Sequence, residues 1–153
     1  MTLKEPRTAL VTGASAGIGL DYADFLAEHG WNIVLTARRT ERLEEAAKRI
    51  QKDHNVSCTS ITADLAKRDS PKMIMDILNQ ENVHVDALIN NAGYALATSF
   101  ARTDWEHIED FLQVMVGAVT HLPHLVLPGM QRKGYGRIVN IASLAAFAPE
   151  PIG

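Results

Sequence analysis

The chain reads as an α/β fold, a doubly wound parallel sheet in three layers, α/β/α. Three observations carry that reading. Five short apolar runs of strand type alternate with four helical stretches, and glycines cluster between the first run and the first helix. Hydrophobic residues make up 46% and charged residues 22%, which is ordinary globular usage. At roughly 150 residues per domain, the 153 residues are expected to form one domain over 1–153.

Each element has its own signal. Residues 8–12 form an apolar strand stopped by Gly13, and a helical pattern follows from Gly17 to the stop at Gly30. Residues 32–36 read as the second strand. On the next helix Leu43, Ala46, Ala47 and Ile50 fall at i, i+3, i+4 and i+7, while Glu44 with Lys48 and Glu45 with Arg49 lace the wet side. Residues 57–62 are the third strand, and Ser70 followed by Pro71 predicts a capped helix start with Met73, Ile74, Ile77 and Leu78 inward. Residues 85–90 are nearly all apolar, as befits a strand covered on both faces. Thr103 and Glu106 predict a capping box for a long helix whose Ile108, Phe111, Leu112, Met115, Val119 and Leu122 share one side. Pro123 should kink or end it. Gly134, Tyr135 and Gly136 turn into a fifth strand, 137–142.

Composition excludes several function classes. Fifteen Lys and Arg against eighteen Asp and Glu give a net charge of −3, with no basic stripe for nucleic acid. Residues 1–7 lack an apolar stretch of signal-peptide length, and Cys58 alone cannot close an intrachain disulfide, so a cytoplasmic setting is expected. The longest apolar tract, 111–130, is interrupted by Gln113, His121, Pro123, His124, Pro128 and Gly129, and no membrane span is expected.

The chemistry begins at the first strand-to-helix turn, where Gly13, Ser15, Ala16, Gly17, Ile18 and Gly19 follow Thr12 and Ala14. Glycines there permit a tight turn and close backbone approach, and the free N–H groups of the helix start can face a pyrophosphate. The pattern predicts a Rossmann-type dinucleotide site. An NAD site usually carries an acid at the end of the second strand, but here the chain runs Thr36-Ala37-Arg38-Arg39. A guanidinium at that point can pair with a ribose 2′-phosphate, so NADP(H) is favoured, with NAD(H) as the alternative. Ala16 adds no second basic group.

Three further segments narrow the class. Thr62-Ala63-Asp64-Leu65 follows the third strand, Asn90-Asn91-Ala92-Gly93 follows the fourth, and Ile138 to Ser143 forms and follows the fifth. With Gly13, Gly17 and Gly19, their order and spacing resemble the short-chain dehydrogenase/reductase family across essentially the entire chain. The resemblance implies that Asp64 accepts from the adenine amino group, with Leu65 supplying backbone contact. It implies that Asn91, Ala92 and Gly93 tie the sheet together and let the cofactor ribose lie against bare backbone. Ser143 matches the family's catalytic serine, whose hydroxyl hydrogen-bonds the substrate oxygen as charge changes during hydride transfer.

The family also places a Tyr-x-x-x-Lys pair about a dozen residues after the serine. No Tyr or Lys follows Ser143 here. The family's helix asparagine, which serves a proton relay, is matched by Met115, whose side chain cannot carry that hydrogen bond. The resemblance therefore implies an NADP(H)-dependent oxidoreductase acting on a small carbonyl or alcohol substrate, homo-oligomeric at full length. The sheet is expected to be incomplete on its C-terminal side, and the 153 residues alone are expected to be inactive. The alternative is a nucleotide-binding module without turnover.

Overall fold

The computed structural model describes residues 6–96, 98–144 and 147; residues 1–5, read above for a targeting segment, lie outside them. The strands are β1 (Thr8–Thr12), β2 (Asn32–Ala37), β3 (Cys58–Thr62), β4 (Ala87–Asn90) and β5 (Arg137–Asn140). They form one parallel sheet in the order β3-β2-β1-β4-β5. The chain winds outward from β1 to β3, then crosses back to lay β4 on the other side of β1. Neighbouring crossovers therefore diverge between β1 and β4 and leave a crevice at the carboxyl ends of those strands.

Side chains alternate along the strands and divide the core in two. Ala9, Val11, Ile33, Leu35, Ala87 and Ile89 face one way, onto α1 (Gly17–Glu28) and α2 (Thr40–His54), where Ala23, Ala27, Leu43 and Ile50 meet them. Leu10, Val34 and Leu88 face the other way, onto α3 (Ser70–Gln80) and a long helical rod. Strand ends differ from the sequence reading by one or two residues, because Ser57, Val85 and Asp86 bring in the chain ahead of the ladder.

The rod is where the structure departs most from expectation. It comprises α4 (Trp105–Leu112), a π-helical stretch (Gln113–Ala118) and α5 (Val119–Lys133), continuous over Trp105–Lys133. Pro123 does not end it. A proline removes the donor to the carbonyl four residues back, here that of Val119. The buried Asn90 side chain at the end of β4 donates to that carbonyl at 3.4 Å and to Asn140 Oδ1 at 2.9 Å. A side chain from the neighbouring strand thus meets the carbonyl that Pro123 leaves without its helical donor.

The π-helical stretch also rotates the rod's buried face. Ile108 and Leu122 are buried as expected, but Val114, Ala118, Val126 and Met130 complete the stripe. Met115 and Leu112, expected inward, are 38% and 46% exposed. By length and composition the unbroken rod is apolar enough to cross a membrane, contrary to the reading of an interrupted tract. One stripe of it packs against the sheet, while only 22% of its most apolar stretch is buried.

Two expected caps take other forms. Asp104 occupies the N-cap of α4, and Thr103 instead donates to Ser99 O at 3.0 Å. Asp69 occupies the N-cap of α3, while Ser70 donates to Asp64 O at 2.6 Å. Away from the crevice, Asp24 on α1 receives Arg49 at 2.8 Å and pairs with His54 at 2.9 Å, both on α2. Burial pushes its carboxyl up, but these partners outweigh burial and hold it below the usual carboxylate range. Burial pushes the Cys58 thiol up to about 12, which leaves it an inert core residue.

Replacing Asn90 with Ala orphans the Val119 carbonyl. Losing a part-buried hydrogen bond costs about 0.5–1.5 kcal/mol, so urea unfolding of Asn90→Ala followed by circular dichroism should show that loss. An unchanged midpoint would mean that Pro123 is accommodated by something other than Asn90.

Candidate cofactor site

The site is built where β1 ends. Thr12 is 1% exposed, and its hydroxyl accepts from the backbone N–H of Asn91 and of Ala92, both at 2.9 Å, while donating to Ile89 O at 3.3 Å. Asn91 returns the contact, its Nδ2 donating to Thr12 O at 2.9 Å and to Gly13 O at 3.4 Å. One hydroxyl and one carboxamide therefore lock the turn after β1 to the turn after β4.

That lock explains the glycines. Gly13 has φ +66°, and a Cβ there would lie 2.8 Å from Ala92 Cα. A Cβ on Gly19 would collide with the Asn91 carboxamide. Gly17, at φ +58°, has nothing within 4 Å of its Cβ position, so the bend that opens α1 borders empty space. The N-cap of α1 is Ala16, which has no side chain to satisfy the helix's first N–H groups, and no acidic residue stands in the first turn. The helix start is thus left with its amides and positive dipole end available.

A cleft of about 850 Å³ opens there, lined by Gly13, Ser15, Ala16 and Ile18 from the first turn. Arg38 and Arg39 line it from the end of β2, Asp64 and Leu65 from the end of β3, and Asn91, Ala92 and Gly93 from the end of β4. Eleven of the fourteen residues singled out from the sequence meet in this one cleft. Gly17 and Gly19 shape its floor without lining it. Ser143 stands exposed three residues past β5, on the same carboxyl edge of the sheet but outside the cleft lining.

The polar groups have distinct roles. Arg39 donates to Ser15 Oγ from Nη2 at 2.9 Å and from Nε at 3.3 Å, which ties the end of β2 to the glycine turn. Asp64 Oδ1 accepts from Ala66 N–H at 3.1 Å, a local turn that fixes the carboxylate at the rim. Thr36, 1% exposed and lining the cleft, has a buried hydroxyl with no hydrogen-bond partner among the described residues. An open glycine bend, unmet helix amides, an orphaned hydroxyl and two guanidinium groups fit an anionic ligand with hydrogen-bonding ribose groups.

Sequence reasoning missed several contributors. Thr12 gave only a strand signal. Tyr94, Asp110 and Val114 also line the cleft, and of these only Tyr94 had a cue, since it directly follows the Asn-Asn-Ala-Gly turn. Gly93 is tight for an unexpected reason: a Cβ there would lie 3.0 Å from Met115 Sδ on the rod.

A parallel sheet of this order with a glycine-lined cleft at its crossover defines a Rossmann-type nucleotide-binding fold. The short chain dehydrogenase family profile matches residues 7–153, and the chain belongs to that family. A short-chain dehydrogenase from Sphingobium yanoikuyae, solved in complex with NADPH, superposes with a TM-score of 0.87 at 38% identity, covering 94% of this chain and 56% of that one. An uncharacterized oxidoreductase of Staphylococcus saprophyticus is 33% identical over 94% of this chain and 61% of its own length. The human inactive hydroxysteroid dehydrogenase-like protein 1 is 35% identical over 95% of this chain and 44% of its own. The chain thus spans about half the length of the relatives it matches.

Thr12→Val keeps the volume and removes the hydroxyl that two backbone amides share. Hydrogen exchange at Asn91 and Ala92 should accelerate by about tenfold or more, the equivalent of at least ~1.4 kcal/mol. Exchange at the wild-type rate would show that the lock does not depend on Thr12.

Proposed function

We propose that this chain is the cofactor-binding part of an NADP(H)-dependent oxidoreductase that moves a hydride between nicotinamide and a carbonyl or alcohol carbon. The observation that carries the reading is the end of β2, where Arg38 and Arg39 stand in the cleft lining and the expected acid is absent. Arg39 is held by Ser15 beside the glycine turn, and Arg38 adds a second cation, a pairing suited to a 2′-phosphate. The structural neighbour solved with NADPH supports a nicotinamide cofactor.

In this reading the amides at the start of α1 hold the diphosphate, and Gly17 lets backbone approach it. The second oxygen of Asp64 meets the adenine amino group while the first holds Ala66. The bare backbone of Ala92 and Gly93 receives ribose. When bound, the nicotinamide supplies the hydride chemistry. Ser143 donates its hydroxyl hydrogen bond to the substrate oxygen where negative charge develops, a contribution commonly worth about 3 kcal/mol. Trp105, Leu112, Val116 and Leu127 are exposed apolar residues of the rod, which suits pairing with a second copy at full length.

A second reading is a nucleotide-binding protein without turnover. One fact favours it: a human relative is named inactive.

Isothermal titration should show NADPH binding the chain more tightly than NADH, with Arg38→Ala erasing the difference; equal affinities in the parent would refute the NADP(H) assignment. The 153-residue chain should give no NADPH oxidation with simple ketones or aldehydes. In a chain extended through a Tyr-x-x-x-Lys segment, Ser143→Ala should lower kcat by about a hundredfold. Robust turnover by the 153 residues would overturn the expectation that they are inactive alone, and an unaffected kcat would remove Ser143 from the site.

A further inference from the structure

We propose that Tyr94 caps the adenosine half of the cleft, closing on the bound base and ribose opposite Arg38. The proposal rests on the nucleotide reading above, which assigns Tyr94 no role. Its ring belongs to the cleft wall immediately after the Gly93 turn. Phe111 on α4 meets that ring edge-on, with centroids 5.5 Å apart and planes at 84°, so the rod backs it. Tyr94 nevertheless stays 40% exposed. A flat aromatic surface braced on one side and open on another is what base stacking uses.

Tyr94 shares the cleft lining with Asp110 and with Arg38 and Asp64, the residues assigned above to the 2′-phosphate and the adenine amino group. Burial, Asp110 and Asp64 push its pKa up and Arg38 pulls it down; the net is upward. The hydroxyl therefore stays protonated throughout the neutral range and is a donor, able to serve a ribose hydroxyl or a phosphate oxygen. Tyr94 and Arg38 come from the ends of two strands on opposite sides of β1, so a base between them is held from both flanks of the crevice.

Adenosine 2′,5′-bisphosphate and NADPH are the probes, titrated calorimetrically into the 153-residue chain, Tyr94→Ala and Tyr94→Phe, with circular dichroism to check each fold. Stacking is expected to be worth about tenfold in Kd, lost in Tyr94→Ala for both probes, while Tyr94→Phe keeps the ring and stays within about threefold. The Tyr94 ring protons should shift on adding adenosine 2′,5′-bisphosphate, a signature that mere bracing of Phe111 would not produce. If the parent binds and Tyr94→Ala binds equally well or more tightly, the cap is overturned while the nucleotide reading stands. If the parent binds neither probe, the nucleotide reading fails and the cap with it.

Discussion

The Thr12 hydroxyl is the point on which the site depends. It sits between β1 and β4, the two strands at which the direction of winding reverses, and it holds the turns that follow both. With Asn91 returning two donations, the glycine turn and the Asn-Asn-Ala-Gly turn behave as one rigid lip. Gly13 and Gly19 are glycines because that lip leaves no room for a Cβ, whereas Gly17 is a glycine because the bend is left-handed and faces open space. Packing thus explains two of the three, and ligand access the third. Tight, hydrogen-bonded preorganisation of this kind lets backbone amides act on an anion without reordering the chain on binding.

Much of this was legible in the sequence, for identifiable reasons. Strands buried on both faces announce themselves as apolar runs, and the alternation of Ala9, Leu10 and Val11 between two cores is the period of a strand. Glycines at a strand-to-helix turn speak locally. The rod was misjudged because its rescue is nonlocal: Asn90 lies 29 residues from the Val119 carbonyl it serves, so Pro123 looks like a terminator to any reading along the chain. The π-helical stretch defeated the helical periodicity in the same way, shifting the buried stripe to Val114 and Ala118 and leaving Met115 at the rim against Gly93. Thr12 was silent because a threonine ending a strand is commonplace until its partners across the sheet are known, and Tyr94 had only its place after the Asn-Asn-Ala-Gly turn.

Membership of the short-chain dehydrogenase family joins these features to oxidoreductase chemistry as a class. Within that class the chain is informative about cofactor and less so about turnover. Its cation pair at the end of β2 is a specific feature, since two guanidinium groups, that of Arg39 held by Ser15, differ chemically from the acid that an NAD site uses. Ser143, by contrast, lies outside the cleft lining.

The most direct test of the central claim is an amide footprint, in which NADPH is titrated into the 15N-labelled chain and the shifts are mapped on the backbone. Binding at the locked lip should move the amides of Ser15, Gly17, Ile18, Ala92 and Gly93 together while those of β5 and α3 stay put. Shifts confined to other surfaces, with the glycine turn unmoved, would contradict the account.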